Sequence, residues 1–405
     1  MSSKLKKPLI LIVCMLPLLL SAYYGIPIVR ADNWRNAITI PEDINIDFTV
    51  NLKDLAIVAR AFGTTPVSQT WNPDADINND GVVNLRDIAL VARNFGWKGK
   101  MPPSTTLTVS STTSLYETGV EDTLKTAFQA QYPWITINFL SQGTGAAIAT
   151  AERGDADMVM VHAPSSELPF LTGGYGVNRK IIASNFFIMV GPQNDPANVN
   201  GSTPVAALQK IKTLGEEGKA IWVSRADGSG TNTKEIALWK EAGINYTQIS
   251  TETSWFKSTG QGMTATLLVA NELGGYTLSD TASYLTNTHN GNIQMTIVVQ
   301  ATKDLLNVYS VIVDNPLYPT ETNTNFDAAM LFEHWLVSSP GENIIANYGT
   351  STFGSPLFTP FLPLVANNAN STLLSWIKAY AYFNGTECPT AYRYDASLLY
   401  DYSWD

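Results

Sequence analysis

The chain has 405 residues, of which 45% are apolar and 15% charged, and its 25 basic and 35 acidic side chains give a net charge of −10. This length and apolar content are sufficient for two or more domains with buried cores. No cluster of Lys and Arg follows the first few residues, which argues against nucleic-acid binding.

Residues 1–31 have the pattern of a secretory signal. Three lysines precede an apolar run from Pro8 to Leu20, and small residues follow at Ser21 and Ala22. The pattern predicts an exported chain, either secreted or held at the cell surface. Because apolar character continues to Val29, an uncleaved N-terminal membrane anchor is the alternative. This segment is the predicted site of any membrane contact.

An internal repeat follows, in which residues 43–63 and 76–96 align at an offset of 33 with 14 of 21 positions identical. Each copy has Asp or Asn at positions 1, 3, 5, 9 and 12 of a loop, the spacing at which oxygen ligands surround calcium. The candidate metal ligands are Asp43, Asn45, Asp47, Asn51 and Asp54 in the first loop and Asp76, Asn78, Asp80, Asn84 and Asp87 in the second. Gly81 stands at the sharp-turn position of the second loop, but Phe48 stands there in the first. We therefore expect a looser turn and a weaker site in the first loop.

Two Asp- and Asn-rich turns that bind nothing are the alternative. The three carboxylates of each loop would repel one another without a cation, however, and the repetition argues against chance. Amphipathic helices are predicted after the loops at Leu52–Phe62 and Leu85–Phe95. The segment Pro41–Gly96 resembles a dockerin module, with Asp instead of Glu closing each loop. The resemblance implies a small all-α domain that holds two calcium ions and attaches to a cohesin-like partner.

Residues 97–105 contain a Pro pair and are predicted to form an extended linker. From Thr106 onward, strand patterns alternate with helix patterns, which predicts an α/β unit with a parallel sheet. The predicted strands are Leu107–Ser110, Ile135–Leu140 and Met158–Val161, and the predicted helices between them are Val120–Gln131 and Ala146–Arg153. Ligands bind at the carboxyl ends of such strands.

Three loops at strand ends are rich in hydroxyl groups and glycine. They are Ser110–Ser114, Ser141–Gly145 and Ser224–Lys234, the last reading S-R-A-D-G-S-G-T-N-T-K. The third loop lies between a predicted strand and a predicted helix, so backbone N–H groups, hydroxyl groups and the Arg225 guanidinium converge there. Together the loops have the donors that surround a tetrahedral oxyanion. Ordinary solvated Ser/Thr turns and a Gly-rich turn are the alternative.

Six short motifs of this region have counterparts in one known family. They are T-T-S at Thr112–Ser114, G-T-G at Gly143–Gly145, E-R-G-D-A-D at Glu152–Asp157, V-H-A-P at Val161–Pro164, Y-G-V-N-R at Tyr175–Arg179 and S-R-A-D-G-S-G-T at Ser224–Thr231. On these motifs, Thr106–Pro360 resembles the tungstate-binding proteins of ABC importers. The resemblance implies a type 2 periplasmic-binding-protein fold with two α/β lobes and a central cleft. Crossing strands are then expected near Ile181–Val190 and Val308–Val313.

The resemblance also implies which residues contact the anion. They are Thr112, Thr113 and Ser114 in the first lobe, with Ser141 and Thr144 as weaker candidates, and Arg225, Ser229, Gly230 and Thr231 in the second. The implied ligand is tungstate or molybdate, and the implied partner is the permease of an ABC importer. Asn232 stands where the family often has His, and no contact with the anion is assigned to it. His162 is interpreted as a structural histidine, with a ligand role as the alternative.

Phosphate-binding proteins carry a similar R-x-D-G-S-G-T loop and are the nearest alternative. They tend to place an acid in the cleft that accepts the proton of hydrogen phosphate, and here the first loop has no acid before Glu117. This difference favours tungstate or molybdate. An enzyme is not expected, because neither a G-x-S-x-G nor an H-E-x-x-H motif occurs. A purely structural surface protein would leave the cleft loops unexplained. The tail, residues 361–405, has no counterpart in the family and is interpreted as a cap on the second lobe.

Overall fold

The N-terminal repeat folds into a small helical module. The computed structural model describes residues 34–66, 68, 70–318, 324–367 and 369–394, so the predicted signal or anchor at residues 1–31 lies outside it. The module contains α1 (Trp34–Ile38), α2 (Leu52–Ala61), a 3-10 turn (Pro73–Ala75) and α3 (Leu85–Arg93). Asparagine caps α2 and α3, and an aspartate three residues later closes a capping box in each. Val58 and Val91, which are equivalent in the repeat, are buried in one core, so each helix covers the apolar face of the other.

The first lobe contains the first two hydroxyl-rich segments. Its elements are β1 (Thr105–Thr112), α4 (Thr113–Thr118), α5 (Val120–Gln131), β2 (Ile135–Gln142), α6 (Thr144–Ala151), β3 (Met158–Val161) and α7 (Pro164–Thr172). As predicted, β1 pairs in parallel with β2 and β3. The first segment was expected to be a loop, but β1 continues to Thr112 because its pairing with β2 extends to Gln142. The first two hydroxyl-rich segments therefore lie side by side at the carboxyl ends of β1 and β2.

One long strand, β4 (Gly176–Gly191), belongs to both lobes. Most of it pairs antiparallel with β9 (Leu306–Asp314), which also pairs with β3 of the first lobe. Its last residues, Phe187 to Gly191, pair with two strands of the second lobe. The predicted crossing strands lie within β4 and β9, and β4 connects the two lobes because it pairs with strands of both.

The second lobe presents the third loop. Its elements are α8 (Pro204–Glu216), β5 (Trp222–Ser224), α9 (Gly230–Glu241), α10 (Tyr246–Ile249), β6 (Phe256–Ser258), α11 (Met263–Leu273), β7 (Thr277–Asp280), α12 (Thr281–His289) and β8 (Thr296–Val299), and a 3-10 turn (Lys303–Leu305) leads to β9. Three buried indoles, Trp222, Trp239 and Trp255, form its aromatic core. Since β5 pairs in parallel with β6 and ends at Ser224, the Arg225 loop leaves the carboxyl end of a parallel strand.

After β9 the chain returns to the first lobe and then covers the crossing strands. Its last elements are α13 (Phe326–Leu336), α14 (Ser339–Asn347), α15 (Thr350–Phe353), β10 (Thr359–Pro360), α16 (Phe361–Asn367), α17 (Ser371–Ala381) and a 3-10 turn (Thr390–Tyr392). Phe361 and Ile377 pack against Ile181 of β4 and Val308 of β9. The tail therefore packs on the crossing strands, and it also contacts the second lobe, because the Lys234 ammonium of α9 lies 4.4 Å from the centre of the Tyr380 ring. Within the described residues, no helix has the length and apolar character needed to cross a membrane.

Candidate functional site

The first lobe contributes hydroxyl groups at the junction of β1 and α4. Thr112 ends the strand and Ser114 lies in the first turn of the helix, and both are buried. Their hydroxyl oxygens are 3.3 Å apart. The half-buried Thr113 between them accepts a hydrogen bond from the second lobe. These three predicted residues therefore stand together on the wall of the cleft.

Arg225 crosses the cleft from the second lobe. Its Nη2 donates to the Thr113 hydroxyl at 2.9 Å, and its Nη1 donates to the Thr231 hydroxyl at 3.4 Å. Nη2 also forms an ion pair with Asp227 at 2.5 Å, an acid that the sequence reasoning did not single out. The other Asp227 oxygen accepts from the Ser229 N–H at 3.1 Å. Asp227 thus holds the guanidinium against the loop that follows it.

The second and third loops meet at three glycines. The Gly230 N–H donates to the Thr144 hydroxyl at 3.1 Å, and the Gly145 N–H donates to the Gly228 carbonyl at 3.2 Å. A Cβ on Gly230 would lie 2.6 Å from the His162 ring, so only glycine allows this approach. The lobes are therefore in direct contact around the candidate site.

Eight of the nine predicted anion-binding residues gather in this region, and Ser141 does not. The eight are Thr112, Thr113, Ser114, Thr144, Arg225, Ser229, Gly230 and Thr231, linked by the contacts above or adjacent to them in the chain. Ser141 lies on the edge strand β2, where its side chain is exposed. In the described part of the chain, no hydrogen bond joins the Ser141 side chain to the other eight.

His162 lies behind the cleft and contacts Ser114, one of the predicted site residues. Its ring stacks on Tyr309 with centroids 5.0 Å apart, and its Nδ1 lies 2.8 Å from Oδ1 of the Asn307 side chain. Burial, reinforced by the nearby Arg225, lowers the pKa of His162 to about 4. The ring is therefore neutral at physiological pH, and its Nδ1–H donates to Asn307. This leaves Nε2 as an acceptor for the Ser114 hydroxyl, 3.5 Å away. The contacts support the structural interpretation of this histidine.

A buried carboxyl group supports the third loop. Glu235 of α9 accepts hydrogen bonds of 2.7 Å from the Trp222 indole and from the Ser224 hydroxyl, and one of 3.4 Å from the Asn232 amide. Burial raises the pKa of Glu235 to about 7, against these hydrogen bonds. Asn232 also accepts from the Gly228 N–H at 3.2 Å, so it stiffens the loop. Sequence reasoning missed Glu235, because an acid within a helix carries no distinctive signal.

Both candidate calcium loops close around their first aspartate in the same way. The Asp43 carboxylate accepts from the Asp47 N–H at 3.1 Å and the Phe48 N–H at 2.9 Å. The Asp76 carboxylate accepts from the corresponding N–H groups at 3.1 and 2.8 Å. The expectation of a looser first turn is wrong, because Phe48 takes up the left-handed conformation (φ 61°) that Gly81 also has (φ 82°).

The donor chemistry of the loops fits calcium. Their side-chain oxygens come from Asp and Asn, which are the hard ligands that this cation prefers. Among the described residues, no group of three or more His, Cys, Asp and Glu side chains is arranged to hold a metal. A calcium ion in these loops would therefore also draw on the asparagine side chains and on backbone carbonyl groups. The calcium ligands remain a prediction.

Two α/β lobes that share a long strand and enclose hydroxyl groups, N–H groups and a guanidinium define the class of two-lobed solute-binding folds. The family model described as PBP superfamily domain matches residues 99–340, and the chain belongs to this superfamily. The model described as Dockerin type I domain matches residues 41–96. The expected two-lobed fold and the resemblance to a dockerin module are thereby confirmed.

Three relatives are similar to the two-lobed part. The tungstate-binding protein TupA of Peptoclostridium acidaminophilum is 36% identical over 252 residues, which are 62% of this chain and 84% of the relative. The solved structure of the tungstate-binding protein TupA from Desulfovibrio alaskensis G20 is 35% identical with a TM-score of 0.53, covering 64% of this chain and 99% of that one. A solved tungstate ABC transporter structure from Geobacter sulfurreducens is 33% identical with a TM-score of 0.53, covering 61% and 100%.

The buried carboxyl groups make stability depend on pH. Burial raises the pKa of Glu121 and of Glu342 to about 8, and that of Glu235 to about 7. Between pH 6.5 and about 8 the folded chain keeps protons that the unfolded chain has released, so the free energy of unfolding falls as the pH rises. His162 opposes this trend only slightly, because most of the effect of its lowered pKa on stability falls below its unfolded value of 6.5.

We therefore expect a lower melting temperature at pH 8 than at pH 6.5. Glu121 accepts from the buried Ser111 hydroxyl, and Glu121→Gln keeps a similar shape without the ionisable group. This variant should reduce the pH dependence, whereas the exposed control Glu272→Gln should not. Thermal unfolding followed by circular dichroism measures the effect. Equal melting temperatures at the two pH values would contradict the prediction.

Proposed function

We propose that the chain is an exported solute-binding protein that captures tungstate or molybdate and delivers it to the permease of an ABC importer. The cluster of hydroxyl groups, N–H groups and Arg225 at the contact between the lobes carries this proposal. These groups donate hydrogen bonds, as a fully deprotonated oxyanion requires. Relatives named as tungstate-binding proteins support the same ligand. In this role the protein is a binding protein and not an enzyme.

The carboxylate of Asp227 bears on the choice between tungstate and phosphate. An acid beside the anion is the feature expected of a phosphate site, where it accepts the proton of the ligand. Here both Asp227 oxygens already have partners within the second lobe, Arg225 and the Ser229 N–H. Asp227 therefore positions the guanidinium, and both of its oxygens are engaged within the second lobe. This arrangement favours a ligand without protons, and phosphate remains the second candidate.

Calorimetry on the full chain tests the proposed ligand. Tungstate and molybdate should bind much more tightly than phosphate, because burial in a closed cleft favours an anion without protons that accepts from every donor. They should also bind more tightly than sulfate, which carries no proton but is a smaller tetrahedral dianion. A titration of phosphate at pH 6 and pH 8 adds a control, since only phosphate changes its protonation in that range. Tighter binding of phosphate than of tungstate would overturn the assignment.

We also propose that the dockerin-like module binds calcium and attaches the protein to a cohesin-like partner. Two pairs of exposed apolar side chains recur at the repeat offset, Leu52 and Leu85 at 69% exposure each, and Phe62 and Phe95 at 49% and 52%. Such a duplicated apolar face supports a partner-binding role. Affinity for a purified cohesin domain in calcium should fall strongly in the double variant Leu52→Ser, Leu85→Ser. Unchanged affinity would remove this face from the proposal.

A further expected result concerns the contact that Glu117 makes across the cleft. Its carboxylate, on α4 of the first lobe, accepts from the Thr264 N–H at 3.0 Å and the Thr264 hydroxyl at 2.8 Å, at the start of α11. A charge-assisted contact contributes about 1.5–3 kcal/mol. Because this contact exists only while the lobes are closed, Glu117→Ala should weaken tungstate binding about tenfold or more.

Calorimetry measures this effect, and Asp122→Ala provides the control. Asp122 is an exposed acid at the start of the next helix, so its loss changes the net charge equally without touching the second lobe. Its affinity for tungstate should stay close to that of the wild type. If Glu117→Ala binds as tightly as this control, the contact does not stabilise the closed state.

A further inference from the structure

The first calcium loop lies against the first lobe of the binding domain. Ile46 and Phe48 of that loop are buried in the same apolar core as Tyr132 and Trp134, which lie between α5 and β2. The rings of Phe48 and Trp134 meet edge to face with centroids 4.9 Å apart. The module therefore packs on the first lobe through the first calcium loop, in addition to the covalent connection through the linker.

The repeat shows that these two residues are specific to the first loop. Ile46 and Phe48 correspond to Asn79 and Gly81 in the second loop, and all four have a positive φ, between 56° and 82°. Asn and Gly adopt this conformation readily, whereas a β-branched or aromatic residue is strained in it. In the second loop Asn79 is exposed. The first loop thus has strained apolar residues at the two positions that contact the lobe.

A charged contact lies beside the apolar one. Asp74, in the turn before the second loop, forms an ion pair with Arg35, and its other carboxylate oxygen lies 2.9 Å from Nε2 of His334 in α13. Arg35 in turn donates to the Ile44 carbonyl of the first loop at 2.8 Å. Trp34 is buried beside His334, with ring centroids 5.9 Å apart. The polar contacts therefore link the first loop, the turn before the second loop and the first lobe.

The chain that connects the two units also pairs with the first loop. The Val50 N–H donates to the Trp97 carbonyl at 3.0 Å, and the Gly99 N–H donates to the Phe48 carbonyl at 2.9 Å. Residues 97–99 were expected to be part of an extended linker, but they are packed on the module. Only a short connection then precedes β1, and such a short tether favours docking within the chain.

We propose that calcium binding by the first loop and docking of the module on the first lobe are coupled, so that each stabilises the other. This inference rests on the calcium binding proposed above. The Asp43 carboxylate accepts from the N–H groups of Asp47 and Phe48, so the geometry of the ligand positions also sets the direction of the Ile46 and Phe48 side chains. Coupling between two binding events is reciprocal. The second loop has Asn79 and Gly81 at these positions and lacks this apolar contact with the lobe, so its calcium binding should depend less on docking.

The variant Phe48→Gly shows whether calcium binding by the first loop is coupled to docking or independent of it. The two cases predict opposite changes in calcium affinity. Glycine is the residue of the second loop and relieves the strain at the turn, so an independent first loop should bind calcium more tightly. If docking is coupled, the loss of the contact with Trp134 should instead weaken calcium binding at one site about tenfold. Calorimetry of the full chain measures the affinity, and the Asp43→Ala background identifies which site has changed.

Docking itself is followed by small-angle X-ray scattering and by hydrogen exchange of the backbone around residues 128–137. With calcium present, Asp43→Ala should increase the radius of gyration and the exchange of this segment, as should removal of calcium from the wild type. Asp76→Ala, the equivalent change in the second loop, should leave both unchanged. Trp134→Ala should weaken one calcium site while tungstate affinity stays the same, and the exposed Leu268→Ala is its control.

The outcomes separate this inference from the function on which it rests. If the wild type binds two calcium ions but Phe48→Gly leaves the first site unchanged or tighter, coupling is overturned while the calcium function stands. If Asp43→Ala and Asp76→Ala affect docking equally, the first loop has no special role and coupling is again overturned. If the full chain binds no calcium, both the proposed calcium function and the coupling fail.

Discussion

Replacing Arg225 by alanine is expected to weaken tungstate binding by at least about tenfold, since a charge-assisted contact contributes about 1.5–3 kcal/mol. The guanidinium is buried, and it joins Thr113 of the first lobe to Thr231 of the second. Its removal would also leave Asp227 without its cation, next to the bound anion. Both effects act in the same direction, so the loss should exceed that of any single hydroxyl group in the site.

Calorimetry of the full chain with tungstate measures this loss. Arg225→Lys should restore affinity only in part, because a point charge cannot contact two partners in the geometry of a guanidinium. The double variant Arg225→Ala, Asp227→Ala should bind more tightly than the single alanine variant, since the unpaired carboxylate is removed. Lys240→Ala, which removes an exposed cation from the same lobe, is the control. If Arg225→Ala binds like this control, the anion site lies elsewhere.

Deletion of residues 361–405 is expected to abolish folding of the binding domain. Leu364, Leu373 and Ile377 belong to one apolar core with β4 and β9. Replacing one such buried side chain by alanine costs about 2–5 kcal/mol. The loss of all three together is as large as the total stability of a typical domain, which is about 5–15 kcal/mol.

The polar contacts of the tail add to this effect. Arg179 of β4 forms a buried ion pair with Glu167 at 2.7 Å, and its Nη1 donates to the Glu387 carbonyl at 2.7 Å. The Tyr394 N–H donates to the Asn178 side chain at 2.6 Å. Deletion would remove the two tail groups and leave their buried partners with fewer hydrogen bonds. We therefore propose that the binding domain extends beyond residue 360, to residue 394.

Soluble expression and circular dichroism of the truncated chain test this prediction. Because a chain that fails to fold reveals little about individual contacts, Ile377→Ala provides a milder test and should lower the melting temperature while tungstate binding remains. Ser375→Ala, on the exposed face of the same helix, should change neither. A truncated chain that melts like the wild type would show that the tail is dispensable.

The local features of this protein were predictable from the sequence by itself. The spacing of Asp and Asn identified the two loops, because a calcium loop is built from consecutive residues. The strand–loop–helix patterns identified the positions of Thr112 to Ser114 and of Arg225 to Thr231, because a strand end followed by a helix start depends on nearby residues. Family resemblance then supplied the two-lobed fold, which the structure confirms.

The tertiary structure alone decided how these pieces act on one another. The contacts of Arg225 with Thr113 and of Glu117 with Thr264 join residues that are 112 and 147 positions apart, and no periodicity in the sequence reports such pairs. From the sequence, Phe48 was interpreted as a poor residue for a sharp turn, and only the structure shows its contact with Trp134. The tail had no role until its packing on β4 and β9 was seen. The physical reason is common to all of these: local pattern reflects the backbone preferences of neighbours, whereas the meaning of a single side chain depends on what packs against it.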